Sequence, residues 1–294
     1  MKLGECWVDG LGMGDVRVYP EEFREEIAIG DFQQICHSRD LSLEFRLLRY
    51  LTETGEMVER MRDFDRDGRD RYRDIRPFVD NIVRGLDDVY VNASLISGNR
   101  SFIVSQAPNQ KTIPEWLGML SRHQVQIVFC LTVCDSKQRQ CSKYWPDLVG
   151  RTDTYGPVAV TLVRQCEESS GLIRRELRVE FPDDAADFSF THIQFTQWPD
   201  HGVPELAAVL PVVTAVDEAR RLSPVAVHCS AGIGRAGTLV AIAKCLEKAR
   251  TCGRVSVLEE CLKLRQERPF LVQTTAQYEL IYEVLRHIFS LKSS

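Results

Sequence analysis

A single α/β domain, built as a twisted mixed β-sheet flanked by helices, is the fold class this 294-residue sequence predicts, on three observations. Strand-like segments crowd the middle of the chain, while helical periodicity dominates its two ends. One buried strand, 224–228, leads through a glycine-bearing loop directly into a helix, the order by which α/β folds present a ligand site at a strand's C-terminal end. No internal repeat or linker divides the chain, and 44% hydrophobic residues suffice for a full core without disulfides or metals.

In chain order, the first fifteen or so residues are glycine-punctuated and read as a loose lead-in. Residues 20–38 and 42–54 follow as two helices, the second with Leu43, Leu47, Leu48 and Leu51 on one side. Residues 1–59 are thus expected as a lead-in and helical cap packed on the domain that follows, 60–294. Strands are expected over 88–96, 101–105, 126–133, 157–165, 174–181 and 187–197. Leu177, Val179 and Phe181 alternate onto one face, and residues 167–171 supply a turn. After the 224–228 strand, Leu239, Val240, Ile242, Ala243 and Leu246 mark a helix from 236 to about 250 that stops at Gly253. A last helix carries Tyr278, Ile281, Tyr282, Leu285, Ile288 and Phe289 as an apolar stripe.

A net charge of −5 argues against a general nucleic-acid binder. No run approaches the ~18–20 apolar residues of a membrane span, and the N-terminus lacks the apolar stretch of a leader. The ten cysteines have irregular spacing with no zinc-type pairs, so a reducing, cytoplasmic setting is expected; a monomer is expected as well. Cys130 and Cys134 fall within the 126–133 strand and its edge, where cysteine serves as a small hydrophobe.

The chemistry concentrates in His228-Cys229-Ser230-Ala231-Gly232-Ile233-Gly234-Arg235. Loop N–H groups and the following helix N-terminus converge on one point, and Arg235 can grip two oxygens of a bound phosphate or other oxyanion there. Cys229 lies in the same positive field, which favours its thiolate.

These residues resemble the signature of the cysteine-dependent protein tyrosine phosphatases. Trp198-Pro199-Asp200-His201-Gly202-Val203-Pro204 looks like that family's mobile acid-bearing loop, and Gln273-Thr274-Thr275-Ala276-Gln277-Tyr278 like its glutamine motif. Arg71-Tyr72-Arg73-Asp74, Val91-Asn92-Ala93-Ser94, Gln106-Ala107-Pro108 and Tyr144-Trp145-Pro146 follow the family's order as well. The resemblance implies hydrolysis of phosphotyrosine in proteins, without cofactor or metal. Cys229 would be the nucleophile, Arg235 and the Ser230–Gly234 amides the phosphate cradle, and Asp200 the general acid. Gln273 and Gln277 would position water, although Thr274 with Gln277 also reads as a capping box. Tyr72 would wall a deep pocket, Asp74 would accept bonds from the substrate backbone, Trp198 would anchor the acid loop, and His228 would organise the phosphate loop.

Several positions depart from the family pattern. Ala236 stands where the family usually has a hydroxyl that hydrogen-bonds the cysteine sulfur, so an alternative is a phosphotyrosine binder with slow turnover. Gln140 replaces a usual lysine, Arg69-Asp70 a usual Lys-Asn, and Phe270 is expected to narrow a secondary aryl-phosphate site. Asp63-Phe64-Asp65-Arg66-Asp67-Gly68 imitates the opening of a calcium loop. Arg69, Arg71 and Arg73 oppose a cation there, and the twelfth position is Asp74 instead of Glu.

Overall fold

A computed structural model describes residues 21–61, 68–98, 101–134, 140–168, 170–182, 187–199 and 202–291. The calcium-loop imitation up to Asp67, and both Asp200 and His201, lie outside the described residues.

The N-terminal region departs from the first expected helix. A 3₁₀ turn (Glu21–Arg24) and a two-residue strand β1 (Ile27–Ala28) precede helix α1 (Phe32–Ser38). Ile27 and Ala28 pair antiparallel with Val255 and Arg254, a long-range contact that overrides local helical preference. Helix α2 (Leu41–Thr52) begins where Asp40 accepts a hydrogen bond from Leu43 N at 2.8 Å. A short α3 (Gly55–Arg60) follows.

The sheet strands are β2 (Ile82–Arg84), β3 (Tyr90–Ile96), β4 (Phe102–Ser105), β5 (Ile127–Cys130), β6 (Thr152–Tyr155), β7 (Val158–Glu167), β8 (Leu172–Glu180), β9 (Phe188–Phe195) and β10 (Val225–His228). They form one sheet in the order β2-β3-β4-β10-β5-β9-β8-β7-β6. Its centre, β4-β10-β5-β9, is parallel, and both flanks are antiparallel. This is the expected mixed sheet, with β2 and β6 added. β5 ends at Cys130, short of the expected 133, and the chain turns just where Leu131 and Thr132 meet the functional loop.

Helix α4 (Ile113–Arg122) covers one face of the sheet. On the other lie α5 (Leu206–Ala219), α6 (Arg235–Cys252), α7 (Val257–Glu267) and α8 (Thr275–Ser290), with β11 (Arg254–Val255) between α6 and α7. Side chains of β10 alternate accordingly, Val225 and Val227 into the larger core and Ala226 into the α4 side. Gly253 ends α6 in the left-handed conformation at φ 68°. The N-terminal helices are tied to the C-terminal one through buried Glu44, whose Oε1 accepts from the Tyr278 and Tyr282 hydroxyls at 2.7 and 2.6 Å. No helix among the described residues is long and apolar enough to cross a membrane.

Candidate active site

β10 is buried along its whole length at the centre of the parallel strands, so the loop that leaves it starts from a fixed point. His228, its last residue, is fully buried, and burial pushes its imidazole down to about 4. The ring is therefore neutral. Nδ1–H donates to Cys229 O at 3.2 Å, which leaves Nε2 to accept from the Tyr144 hydroxyl at 2.7 Å. A neutral ring in this position links the Cys229 carbonyl to Tyr144 and is no general acid at neutral pH.

Each loop carbonyl from Cys229 to Gly234 accepts a hydrogen bond from surrounding protein. Beyond Cys229 O, Ala107 N donates to Ser230 O at 2.9 Å, and Arg268 donates through Nη2 to Ala231 O at 3.1 Å and through Nε to Gly232 O at 2.8 Å. Val272 N donates to Ile233 O at 3.0 Å, and Thr238 gives both its N–H and its hydroxyl to Gly234 O at 2.9 Å. Among the described residues, no hydrogen bond uses the N–H groups of Ser230 through Gly234. A loop whose acceptors are all drawn outward presents its donors inward, as an anion cradle requires. Gly232 permits this at φ 72°, where an added Cβ would lie 2.2 Å from Ser105 O.

Arg268 is fully buried and also donates to Asn92 Oδ1 at 2.8 Å and Ser94 Oγ at 3.2 Å. Asn92 Nδ2 in turn donates to Asp70 Oδ1 at 2.8 Å, and the Tyr90 hydroxyl donates to the same oxygen at 2.7 Å. A continuous polar chain therefore joins the loop to the segment carrying Tyr72. Tyr72 is partly exposed, with its hydroxyl 2.8 Å from Ser230 Oγ. Asp74, on the same segment, is exposed. Phe270 and Val272 hold positive φ values of 61° and 63°, a strained backbone pinned by Arg265 through Leu271 O and Val272 O, both at 2.8 Å.

On the opposite side, Arg235 opens α6 and reaches back across the sheet. Nη1 donates to Leu131 O at 3.3 Å and Thr132 Oγ1 at 3.1 Å, and Nη2 to Pro199 O at 3.3 Å. The segment ending at Pro199 is thereby held against the loop, anchored by Trp198, which packs edge-on against Phe195 in the core. Gln273 and Gln277 also arrive at the loop. A Cβ on Gly234 would stand 2.9 Å from Gln277 Nε2 and 3.0 Å from Gln273 Oε1. Gln277 has a helix-end role too: its N–H donates to Thr274 Oγ1, and its Oε1 accepts from Gln273 N at 2.9 Å. Ala236 is buried in the first turn of α6, and the nearby Thr238 hydroxyl is spent on Gly234 O.

The structure thus gathers Tyr72, Cys229, Ser230–Gly234, Arg235, Gln273 and Gln277 around one loop. It adds Arg268, Asn92, Thr132 and Tyr144, to which the sequence assigned no role. Asn92 and Tyr144 stood inside quoted motifs, whereas nothing local marks Arg268 or Thr132. A further expectation is overturned. Cys134 is no strand hydrophobe, because it lies past the end of β5 and forms a disulfide with Cys141.

Cys130, His192 and His228 bring potential metal-ligand atoms within 4.8 Å of one another. The set does not suit a cation. Arg175 Nη1 donates to His192 Nδ1 at 3.3 Å, Tyr144 donates to His228 Nε2, and a guanidinium beside the cluster opposes positive charge.

The sequence profile of the protein-tyrosine phosphatase family matches residues 67–287. Human receptor-type tyrosine-protein phosphatase C is 34% identical over 74% of this chain and 18% of its own length. Tyrosine-protein phosphatase 2 of Dictyostelium discoideum is 36% identical over 66% of the chain and 53% of its own. Human tyrosine-protein phosphatase non-receptor type 7 is 30% identical over 74% and 63%. The chain spans less than two thirds of the length of each of these relatives. With this loop geometry and this extent of match, the chain belongs to the protein-tyrosine phosphatase family.

Proposed function

We propose that this protein hydrolyses phosphotyrosine in proteins through a phosphocysteine intermediate, with 60–294 as the catalytic core and 1–59 as its cap. The observation that carries this reading is the loop in which every carbonyl from Cys229 to Gly234 is engaged by protein, leaving the N–H groups for a phosphate. Cys229 attacks phosphorus while Arg235 and the loop amides stabilise charge on the equatorial oxygens. Asp200, one residue beyond the Pro199 carbonyl that Arg235 holds, protonates the departing phenolate and then serves as base toward a water positioned by Gln273 and Gln277. Tyr72 at the rim makes the pocket deep enough to favour the longer aryl ester, and Asp74 accepts from the substrate backbone. Neutral Ala231 and Ile233 give the loop no lysine for a polyphosphorylated inositol. The relatives lend no specific support to the slow-binding alternative built on Ala236. The reading includes a monomer acting in the cytoplasm.

Paired peptides bearing phosphotyrosine or phosphoserine test it. Hydrolysis should favour phosphotyrosine and persist in EDTA. Cys229→Ser should abolish turnover yet retain phosphate binding, and Asp200→Ala should lower kcat far more than it weakens substrate affinity. Equal rates on both peptides, or complete loss in EDTA, would sink the proposal.

A further inference from the structure

Three sulfurs meet behind Arg235, and phosphoryl transfer uses none of them. Cys134 and Cys141 are joined in a disulfide, and the Cys130 sulfur lies 3.6 Å from Cys134 Sγ, in contact with the bridge. Cys130 sits at the end of β5, in register with His228 on β10. The next two residues, Leu131 and Thr132, each supply a group to which Arg235 donates.

The bridge ties together the two limbs that make this anchor. Thr132 lies two residues before Cys134, and Gln140 immediately precedes Cys141. The limbs meet where the Thr132 hydroxyl donates to Gln140 Oε1 at 3.1 Å. Thr132 O is fixed from behind by Gln194 Nε2 at 2.9 Å and receives the Cys130 thiol at 3.3 Å. Opening the bridge removes the covalent closure around the Thr132–Gln140 contact, and with it one constraint on the direction in which Thr132 Oγ1 faces.

We propose that Cys134 and Cys141 form a reversible thiol–disulfide modification site, with Cys130 as exchange partner, that sets how firmly Arg235 is held for phosphate. The proposal rests on the reading of Arg235 as the guanidinium that grips the phosphate.

The chemistry balances with a dithiol as reductant. Its thiolate attacks Cys134 Sγ, the partly exposed end of the bridge, and Cys141 leaves as a thiolate. The reductant's second thiol then displaces Cys134. Two electrons and two protons have passed to the protein, and the reductant leaves as a disulfide. Exchange within the protein needs no reductant. Cys130 gives up its proton, its thiolate bonds to Cys134 Sγ, the Cys134–Cys141 bond breaks, and Cys141 takes a proton. Burial pushes the Cys130 thiol up to about 12, so this internal route is slow and the Cys134–Cys141 pairing persists until an external dithiol arrives.

The test uses the full chain carrying Cys229→Ser, so that oxidation of the nucleophile contributes nothing. Inorganic phosphate binding is measured by calorimetry on protein prepared without reductant, again after dithiothreitol and its removal, and again after reoxidation. Alkylation and peptide mapping at each stage record the sulfur connectivity. Reduction should free Cys134 and Cys141 and weaken phosphate binding about three- to tenfold, the scale of one lost hydrogen bond, with recovery on reoxidation. Adding Cys141→Ser should give the weak value without reductant, and mild oxidant should then produce a Cys130–Cys134 bridge. Equal phosphate affinity in both sulfur states, or free Cys134 and Cys141 thiols after preparation without reductant, would overturn the switch alone. Absence of phosphate binding in either state would overturn the proposed function and this inference with it.

Discussion

Two arginines flank the loop that follows β10, and they are built differently. Arg268 is fully buried, and four donations fix it to Gly232 O, Ala231 O, Asn92 Oδ1 and Ser94 Oγ, two of them at 2.8 Å. Burial pulls its pKa down to about 10, still far enough above neutrality to keep the cation. Arg235 is half-buried, and its bonds to Leu131 O, Thr132 Oγ1 and Pro199 O run from 3.1 to 3.3 Å. A buried cation surrounded by fixed acceptors has no alternative geometry, so it sets the shape of the loop. A half-exposed cation can exchange oxygens such as these three for those of a phosphate, because charge-assisted bonds are roughly twice as strong as neutral ones. The difference divides the site into a rigid floor and an adaptable wall, and the floor is where single changes should cost most.

The largest expected effect is therefore at Arg268. Arg268→Leu leaves four polar groups facing an apolar side chain, Asn92 Oδ1 and two loop carbonyls among them. Each buried acceptor left without a donor costs about 1–3 kcal/mol, so the loss is several kcal/mol in all. Urea unfolding should read that loss, and phosphate binding should fail at concentrations where the variant is still folded. Arg268→Lys should recover only part, since one ammonium cannot span acceptors that a planar fork reaches. If Arg268→Leu unfolds within about 1 kcal/mol of the parent and still binds phosphate, the floor is not rigid for the reason given.

His228 belongs to the same floor and predicts how acid attacks it. Its ordinary pKa of 6.5 falls to about 4 in the folded chain, because burial disfavours the charged ring. Between these values the unfolded chain binds a proton that the folded one refuses, so stability rises with pH in this window. The contribution is complete above about 6.5 and lost progressively as pH falls to about 4, roughly 3 kcal/mol in all. Urea midpoints measured from pH 7.5 to 4 should show a steeper decline for the parent than for His228→Gln. Parallel curves would remove the floor's dependence on a neutral imidazole.

The contrast also explains what the sequence disclosed. Central strands were legible as short continuous apolar runs because both of their faces are buried, and the loop was legible because cysteine, glycines and arginine are forced into one short run by the chemistry of an anion. Arg268 was invisible for the opposite reason. Its acceptors lie 36 or 37 residues away in the loop and 174 or 176 away on β3, so no local pattern records the contact. The same holds for Ile27 and Ala28, drawn out of a helix by residues 254–255. Thr132 and Cys134 were hidden by a strand that ends earlier than its apolar run, since a turn toward Arg235 leaves no signature in hydrophobicity.

The adaptable wall makes its own, smaller prediction at Ala236. This residue follows Arg235 and is buried in the first turn of α6, where the family usually carries a hydroxyl that hydrogen-bonds the nucleophilic sulfur. Thr238 does not replace it, because its hydroxyl already donates to Gly234 O at 2.9 Å. Sulfur without that donor is a poorer leaving group, so breakdown of the phosphocysteine should lag behind its formation. A hydrogen bond to a charged group is worth about 1.5–3 kcal/mol, and each ~1.36 kcal/mol is tenfold in rate, which sets a scale of roughly ten- to hundredfold. Rapid-quench assays on p-nitrophenyl phosphate should show a burst of phenol in the parent chain. Ala236→Ser or Ala236→Thr should raise steady-state kcat and shrink the burst, while leaving phosphate affinity nearly unchanged because the floor is untouched. If no phosphocysteine accumulates and neither hydroxyl variant is faster, another group supports the departing sulfur, and the wall is less open at this turn than its half-exposed arginine implies.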